Sequence, residues 1–288
     1  MTVMDRVNGM GNHLLIIVPH QDDEILLCAG VIRHAAGQQI PVDVVMVTNG
    51  DYGCRDFSAG RTRLRETLKG LELLGVSRQH IHILGYADTG MPEADSFLTH
   101  LYQEKDGQKK YSSFCTDRTY GLEEKPEYHW EKYGDHANYC RDDFKSDLRE
   151  IIAEMKADCI ITTADCDQHG DHSALYRFIC EVLDEQKEYA PDLLTGLVHS
   201  GAGDEIWPER GSAQYSNPGN CLPAGHGWED RICVHVPEEM NVALGADNLK
   251  YQALLQYETA LEPGAYDFLM AFIKNEEIFW RMRQSKAK

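Results

Sequence analysis

No C-x-x-C pair occurs anywhere in this 288-residue chain, although it carries nine cysteines. They are odd in number and scattered at positions 28, 54, 115, 140, 159, 166, 180, 221 and 233. That argues against a disulfide framework and against a cysteine-rich zinc module, and points to small buried thiols in a reducing cytoplasm. Basic side chains are scarce as well: 28 Lys and Arg face 47 Asp and Glu, a formal net charge of −19. A field of that sign repels nucleic acid and anionic membrane surfaces, and it attracts cations. No apolar run approaches the ~18 residues of a membrane span. The N-terminus also lacks the charged region and long apolar stretch of a secretory signal. The expected setting is cytoplasmic, and the expected partner a small molecule. There is no internal repeat and no low-complexity linker, so residues 1–288 are expected to form a single domain, with a homo-oligomer open.

Short apolar, β-branched runs alternate with helical patterns along the chain. Leu14–Val18 reads as a buried strand and 23–36 as the helix after it; Val42–Thr48 reads as a second strand. Leu64, Leu68, Leu71 and Leu74 fall at helical spacing, with Gly75 as the stop. Further strands are expected over 81–84, 159–163 and 193–200, and a helix through Phe144, Leu148, Ile151 and Met155. This alternation implies an α/β fold with a mostly parallel sheet flanked by helices. Residues 100–142 are polar and weakly patterned, too long for an ordinary connection, and read as a loop beside the active site. Residues 203–240, with Pro208, Pro218, Pro223 and Pro237, read as an irregular substrate-side segment. Two terminal helices are expected, over 247–260 and 265–283.

In such sheets ligands bind beyond the carboxyl ends of the strands. The expected strands here run into "PHQDDE", "TNGDYG", "GYADTG", "ADCDQHGDH" and "HSG". These ends, rich in Asp, His and Gly, share one rim. "HQDDE" alone could be no more than a helix start whose acidic side chains favour the helix dipole. Joined by "HGDH" at another strand end, it supplies two histidines and a carboxylate, a sufficient protein set for a catalytic zinc with a place left for water. The candidate ligands are His20, Asp23 and His172. Asp22, beside them but facing elsewhere, is the candidate general base. His169 is the candidate oxyanion stabiliser or proton donor, with Asp171 orienting it. His199 ends a strand on the same rim and is a candidate substrate contact or core histidine. His129 and His136 read as surface residues of the 100–142 loop.

"PHQDDE" resembles the (P/A)HPDDE signature, and "HGDH" the HxDH signature, of the LmbE/PIG-L family of zinc-dependent N-acetylglucosaminyl de-N-acetylases. The resemblance continues through "TNGD", Arg63-x-x-Glu66, "DTGM", "LVHSG" and "KYQALLQY", covering most of the chain in family order. It implies a Rossmann-like fold, a zinc cofactor and hydrolysis of an N-acetyl group on an amino sugar. Fe²⁺ or another divalent metal would also suit a His₂Asp set. It also implies metal ligands at His20, Asp23 and His172, a base at Asp22, and a charge-stabilising His169–Asp171 pair. Substrate contacts are implied at Asp51, Arg63 and Asp88; Arg63 could equally lie on the solvent face of its helix. Gln21 departs from the family's proline. An amidase acting on a sugar–thiol conjugate and a non-catalytic carbohydrate-binding module are the alternatives to a deacetylase.

Overall fold

Runs that are apolar on both faces form the centre of the sheet, because a strand covered on each side has no solvent face to keep polar. The computed structural model describes residues 2–4, 7–219, 221–261 and 264–285. Strands β1 (Thr2–Met4) and β2 (Leu14–Val18) come first. Helix α1 (Asp23–Gly37), β3 (Val42–Thr48), α2 (Ser58–Leu74) and β4 (Ile81–Tyr86) come after them. Next are α3 (Phe97–Gln103), α4 (Tyr128–Tyr133), α5 (Arg141–Met155), β5 (Cys159–Thr163), α6 (Gly170–Glu185) and β6 (Asp192–Gly196). The chain continues with β7 (Ile232–His235), α7 (Leu249–Leu254), α8 (Tyr266–Met270) and β8 (Glu276–Arg283).

The eight strands lie in the order β1-β7-β8-β6-β5-β2-β3-β4. Neighbours are parallel except where β8 runs antiparallel to both β6 and β7. Strand β2 pairs on one side with β3 and on the other with β5. The chain order therefore reverses at β2, and a crevice opens there above the strand ends.

Alternation along the strands feeds two cores. Leu14, Ile16, Val18, Val44 and Met46 pack with Ile25, Leu26, Leu64, Leu68 and Leu71 of α1 and α2. Leu15, Ile17, Val45 and Val47 pack with Phe144, Leu148 and Ile151 of α5 and Phe178, Ile179 and Val182 of α6. No described helix is long and apolar enough to cross a membrane.

Two expectations change at the C-terminal side. The helix expected over 247–260 contracts to α7, and the one over 265–283 becomes the short α8 and then β8. "EEIFWRMR" suits a helix locally. Placed between β6 and β7, it meets two rows of backbone donors and acceptors that only a strand can satisfy, and tertiary pairing overrides propensity. Strand β7 likewise sits inside the segment expected to be irregular.

Candidate active site

Where β2 ends, the chain turns sharply into α1. Asp22 occupies the N-cap position with φ 107°, and its side chain makes no capping bond. The carboxylate is thus not consumed by the helix start. Asp23 turns inward instead: its Oδ2 accepts the His20 amide at 3.0 Å. From the end of β5, α6 begins with His169 as N-cap, its Nδ1 accepting the Asp171 amide at 3.2 Å.

These two turns bring three donor atoms together. His20 Nδ1 lies 3.1 Å from His172 Nε2. Asp23 Oδ2 lies 3.5 Å from His20 Nδ1 and 3.3 Å from His172 Nε2. Ligands at ~2.0–2.1 Å from a tetrahedral metal stand about 3.3 Å apart, so the triangle has the size a zinc-like ion requires. Its electrostatics agree. Burial alone would lower His20, but bonds to Asp171 and Asp23 outweigh it and push the imidazole up to about 9. Burial also opposes a charge on His172, and Asp167 and Asp23 outweigh it and hold this imidazole well above its ordinary range. The surrounding carboxylates thus favour positive charge at this point.

The outer contacts orient the triangle. His20 Nε2 faces Asp171 Oδ2 at 3.1 Å, and Asp171 Oδ1 accepts from Ser96 Oγ at 2.6 Å and the Leu98 amide at 2.8 Å. The Asp171 carboxylate therefore backs His20, not His169 as the spacing suggested. His172 Nδ1 lies 3.2 Å from Asp167 Oδ2. Asp167 also accepts the Val198, His199 and His169 amides. Asp167 was within "ADCDQHGDH" but carried no role in the sequence; its position two residues before His169 was the available signal.

Asp22 stands beside the triangle. Burial and the adjacent Asp23 charge push its carboxyl up to about 7, against the pull of Arg63, His20 and His199. His169 stacks on His172 with centroids 4.7 Å apart, and burial with the charges of His20, His172 and His199 drives it far down, to a neutral ring. Because Nδ1 accepts the Asp171 amide, the proton belongs on Nε2, which is left as a donor.

Of the residues expected to touch substrate, two also bond within the wall of the site. Asp51 is fully buried, accepting the Asp88 amide at 3.2 Å and the Tyr120 hydroxyl at 3.0 Å. The 100–142 segment thus reaches the site through Tyr120. Arg63 donates to the Gly50 and Gln21 carbonyls at 3.1 Å each and lies 3.9 Å from Asp22. Asp88 supplies a donor atom within 4.8 Å of others on His20 and Asp171, and so borders the triangle. A further donor group joins His169 to His20 and His172. His199 lies 5.5 Å from His172 by ring centroids and stacks on Phe268, with Nδ1 3.0 Å from Asp204. Gln21 donates its amide to the Thr48 carbonyl at 2.6 Å, a tie between the β2 and β3 ends that a proline would not make. His129 and His136 pair with Asp147 and Glu127, away from the triangle.

The family model described as "PIG-L: GlcNAc-PI de-N-acetylase" matches residues 15–183. No curated protein sequence matches the chain. Among solved structures, the N,N'-diacetylchitobiose deacetylase of Pyrococcus horikoshii is 14% identical with a TM-score of 0.54, over 94% of this chain and 84% of its own. The zinc-inhibited form of a teicoplanin deacetylase is 18% identical with a TM-score of 0.54, over 96% of this chain and 100% of its own. The 4-carboxy-2-hydroxymuconate hydratase of Pseudomonas putida is 11% identical with a TM-score of 0.51, over 96% and 98%. At these identities the likeness establishes a shared fold.

Proposed function

The chain belongs to the PIG-L family of GlcNAc-PI de-N-acetylases, and from that premise we propose that it is a metal-dependent hydrolase removing an N-acetyl group from an amino-sugar substrate. The observation that carries the reading is the donor triangle of His20, Asp23 and His172 with the uncommitted Asp22 carboxylate beside it. A divalent cation, zinc or Fe²⁺, held by those three residues would supply Lewis acidity to the amide carbonyl and acidify a water.

Asp22, with its carboxyl near neutrality, takes a proton from the attacking water and returns it to the departing nitrogen. His169 donates from Nε2 to the oxygen that gains charge as the carbonyl carbon becomes tetrahedral. Asp171 and Asp167 hold the imidazoles of His20 and His172 in the required orientation. In this reading Asp88 meets a sugar hydroxyl, while Asp51 and Arg63 fix the loops around it. Water's oxygen ends on acetate, the C–N bond breaks, and the sugar leaves as the amine.

The test is acetate release from N-acetylated mono- and disaccharides by metal-loaded protein. Asp22→Ala is expected to keep its metal and lose about 10²–10⁴-fold in kcat; His172→Ala is expected to lose both. Near-normal turnover by Asp22→Ala would remove the base from the scheme. The hydratase neighbour sets the rival chemistry, water addition to a carbon–carbon double bond. Consumption of an unsaturated tricarboxylate without acetate release would favour that rival.

A further inference from the structure

Asp22 is one of three non-glycine residues with positive φ among the described residues, with Gln39 and Lys156. A Cβ disfavours that region, so something must hold the base there. Its own carboxylate does not, since it makes no capping bond and its nearest cation, Arg63, is 3.9 Å away.

The backbone is held instead. The Asp22 amide donates to Glu24 Oε2 at 3.1 Å. The other oxygen of that carboxylate accepts the Tyr257 hydroxyl at 2.5 Å. Glu24 and Tyr257 are both fully buried. Tyr257 comes from the C-terminal part of the chain, 233 residues from Glu24. It reaches this position across α2 at Gly70, where a Cβ would stand 2.5 Å from the Tyr257 ring. Glycine is costly inside a helix; here its missing side chain is the slot through which the phenol passes. The same segment is pinned on both sides. Thr259 donates from its amide and hydroxyl to Glu66 of α2, and Lys250 donates to the Leu26 carbonyl of α1.

We propose that Glu24 and Tyr257 are positioning residues for the general base: the carboxylate, fixed by the phenol, keeps the Asp22 backbone at positive φ and so keeps its side chain beside the donor triangle. The inference rests on the reading of Asp22 as the base. Neither residue touches the reacting atoms. Their effect is on where the Asp22 carboxylate points, so it belongs in kcat and not in substrate binding or metal content.

The experiment compares metal-loaded wild type, Glu24→Ala, Glu24→Gln and Tyr257→Phe for kcat, KM, bound metal per chain and Tm. Glu24→Ala is expected to lower kcat about 100-fold, the scale of a misplaced catalytic group, with KM changed less than about threefold and metal stoichiometry retained. Glu24→Gln is expected to restore kcat to within about fivefold of wild type, because its amide oxygen can accept from Asp22 while its NH₂ donates to the phenol oxygen. Tyr257→Phe is expected to fall between them. The proposal is overturned if Glu24→Ala keeps wild-type kcat, if it loses metal, or if the glutamine variant fares no better than alanine. Should Glu24→Ala not fold, Tyr257→Phe decides: unchanged kcat overturns the proposal. A wild type that turns over while all three variants match it defeats this inference alone. A metal-loaded wild type that releases no acetate defeats the proposed function and this inference with it.

Discussion

Replacing Lys250 with methionine isolates the contribution of a buried charge. Lys250 and Glu277 are each 1% exposed, with Nζ 3.2 Å from Glu277 Oε1 and 2.8 Å from the Leu26 carbonyl. Methionine keeps most of the stem's volume, so packing changes little. Two losses remain. The Glu277 carboxylate loses its counter-charge, and Leu26 loses an acceptor bond. The carboxylate still accepts the Gly30 amide at 2.8 Å and the Val31 amide at 2.9 Å, which offsets part of its desolvation. Breaking a buried pair by removing one partner costs about 3–5 kcal/mol, and the two remaining amides place this case toward the lower end. For a chain of this length that is roughly 5–8 °C in Tm, given an unfolding entropy of about 2 cal/mol/K per residue. Thermal melts followed by far-UV circular dichroism measure it directly. Lys250→Met/Glu277→Leu, which removes both charges, is expected to be more stable than Lys250→Met alone. A Lys250→Met melt within about 1 °C of wild type would refute the reasoning, because it would mean that a buried carboxylate without its partner costs almost nothing here.

Asp171→Asn should weaken metal binding by about 10–100-fold, measured by chelator competition, because His20 loses the carboxylate that fixes its ring. At the opposite end of the sheet, burial would raise Asp43, but bonds from His13, His82 and His80 outweigh it and hold the carboxyl well below its ordinary range. A carboxyl depressed on folding contributes stability above its unfolded pKa of about 3.9 and loses it as pH falls below that value. Asp43→Asn should therefore lower Tm at neutral pH and flatten its fall below about pH 4; parallel Tm–pH curves for the two proteins would exclude this contribution. Gly85→Ala should be more costly than an ordinary surface change. Gly85 has φ 79°, and a Cβ would lie 2.4 Å from the Tyr120 carbonyl, a backbone atom that cannot swing aside. A loss of about 2 kcal/mol or more in urea unfolding is expected.

The central strands were legible because β2, β3 and β5 are buried on both faces, and their apolar runs end where the chain leaves the sheet. The donor triangle was legible for a related reason. Strand ends in a parallel sheet share a rim, so "PHQDDE" and "HGDH" had to meet once their strands were placed. What stayed hidden depends on partners far away in sequence. Asp171 looks like the companion of His169, two residues away, yet its carboxylate lies on His20, 151 residues distant. Glu24 looked like an ordinary first-turn acid, and nothing local marks Tyr257 as its partner. Asp51 and Arg63 matched positions expected to meet substrate, while their bonds to the Tyr120 hydroxyl and to the Gly50 and Gln21 carbonyls had no local signal in the sequence. Strand β8 carried a helical propensity that only the vacancy between β6 and β7 could override.

That last placement orders the birth of the molecule. Ribosomes deliver β6 and β7 before β8, and these two strands do not pair with each other. Throughout synthesis of residues 197–275, the parallel half of the sheet presents β6 as a bare edge, open to pairing with any other extended chain. The sheet can be joined across β6, β8 and β7 only after Glu276–Arg283 has emerged. A nascent chain stalled or cut before that point would expose the row of donors and acceptors that β8 normally occupies, and aggregation of such fragments is the hazard the final strand removes.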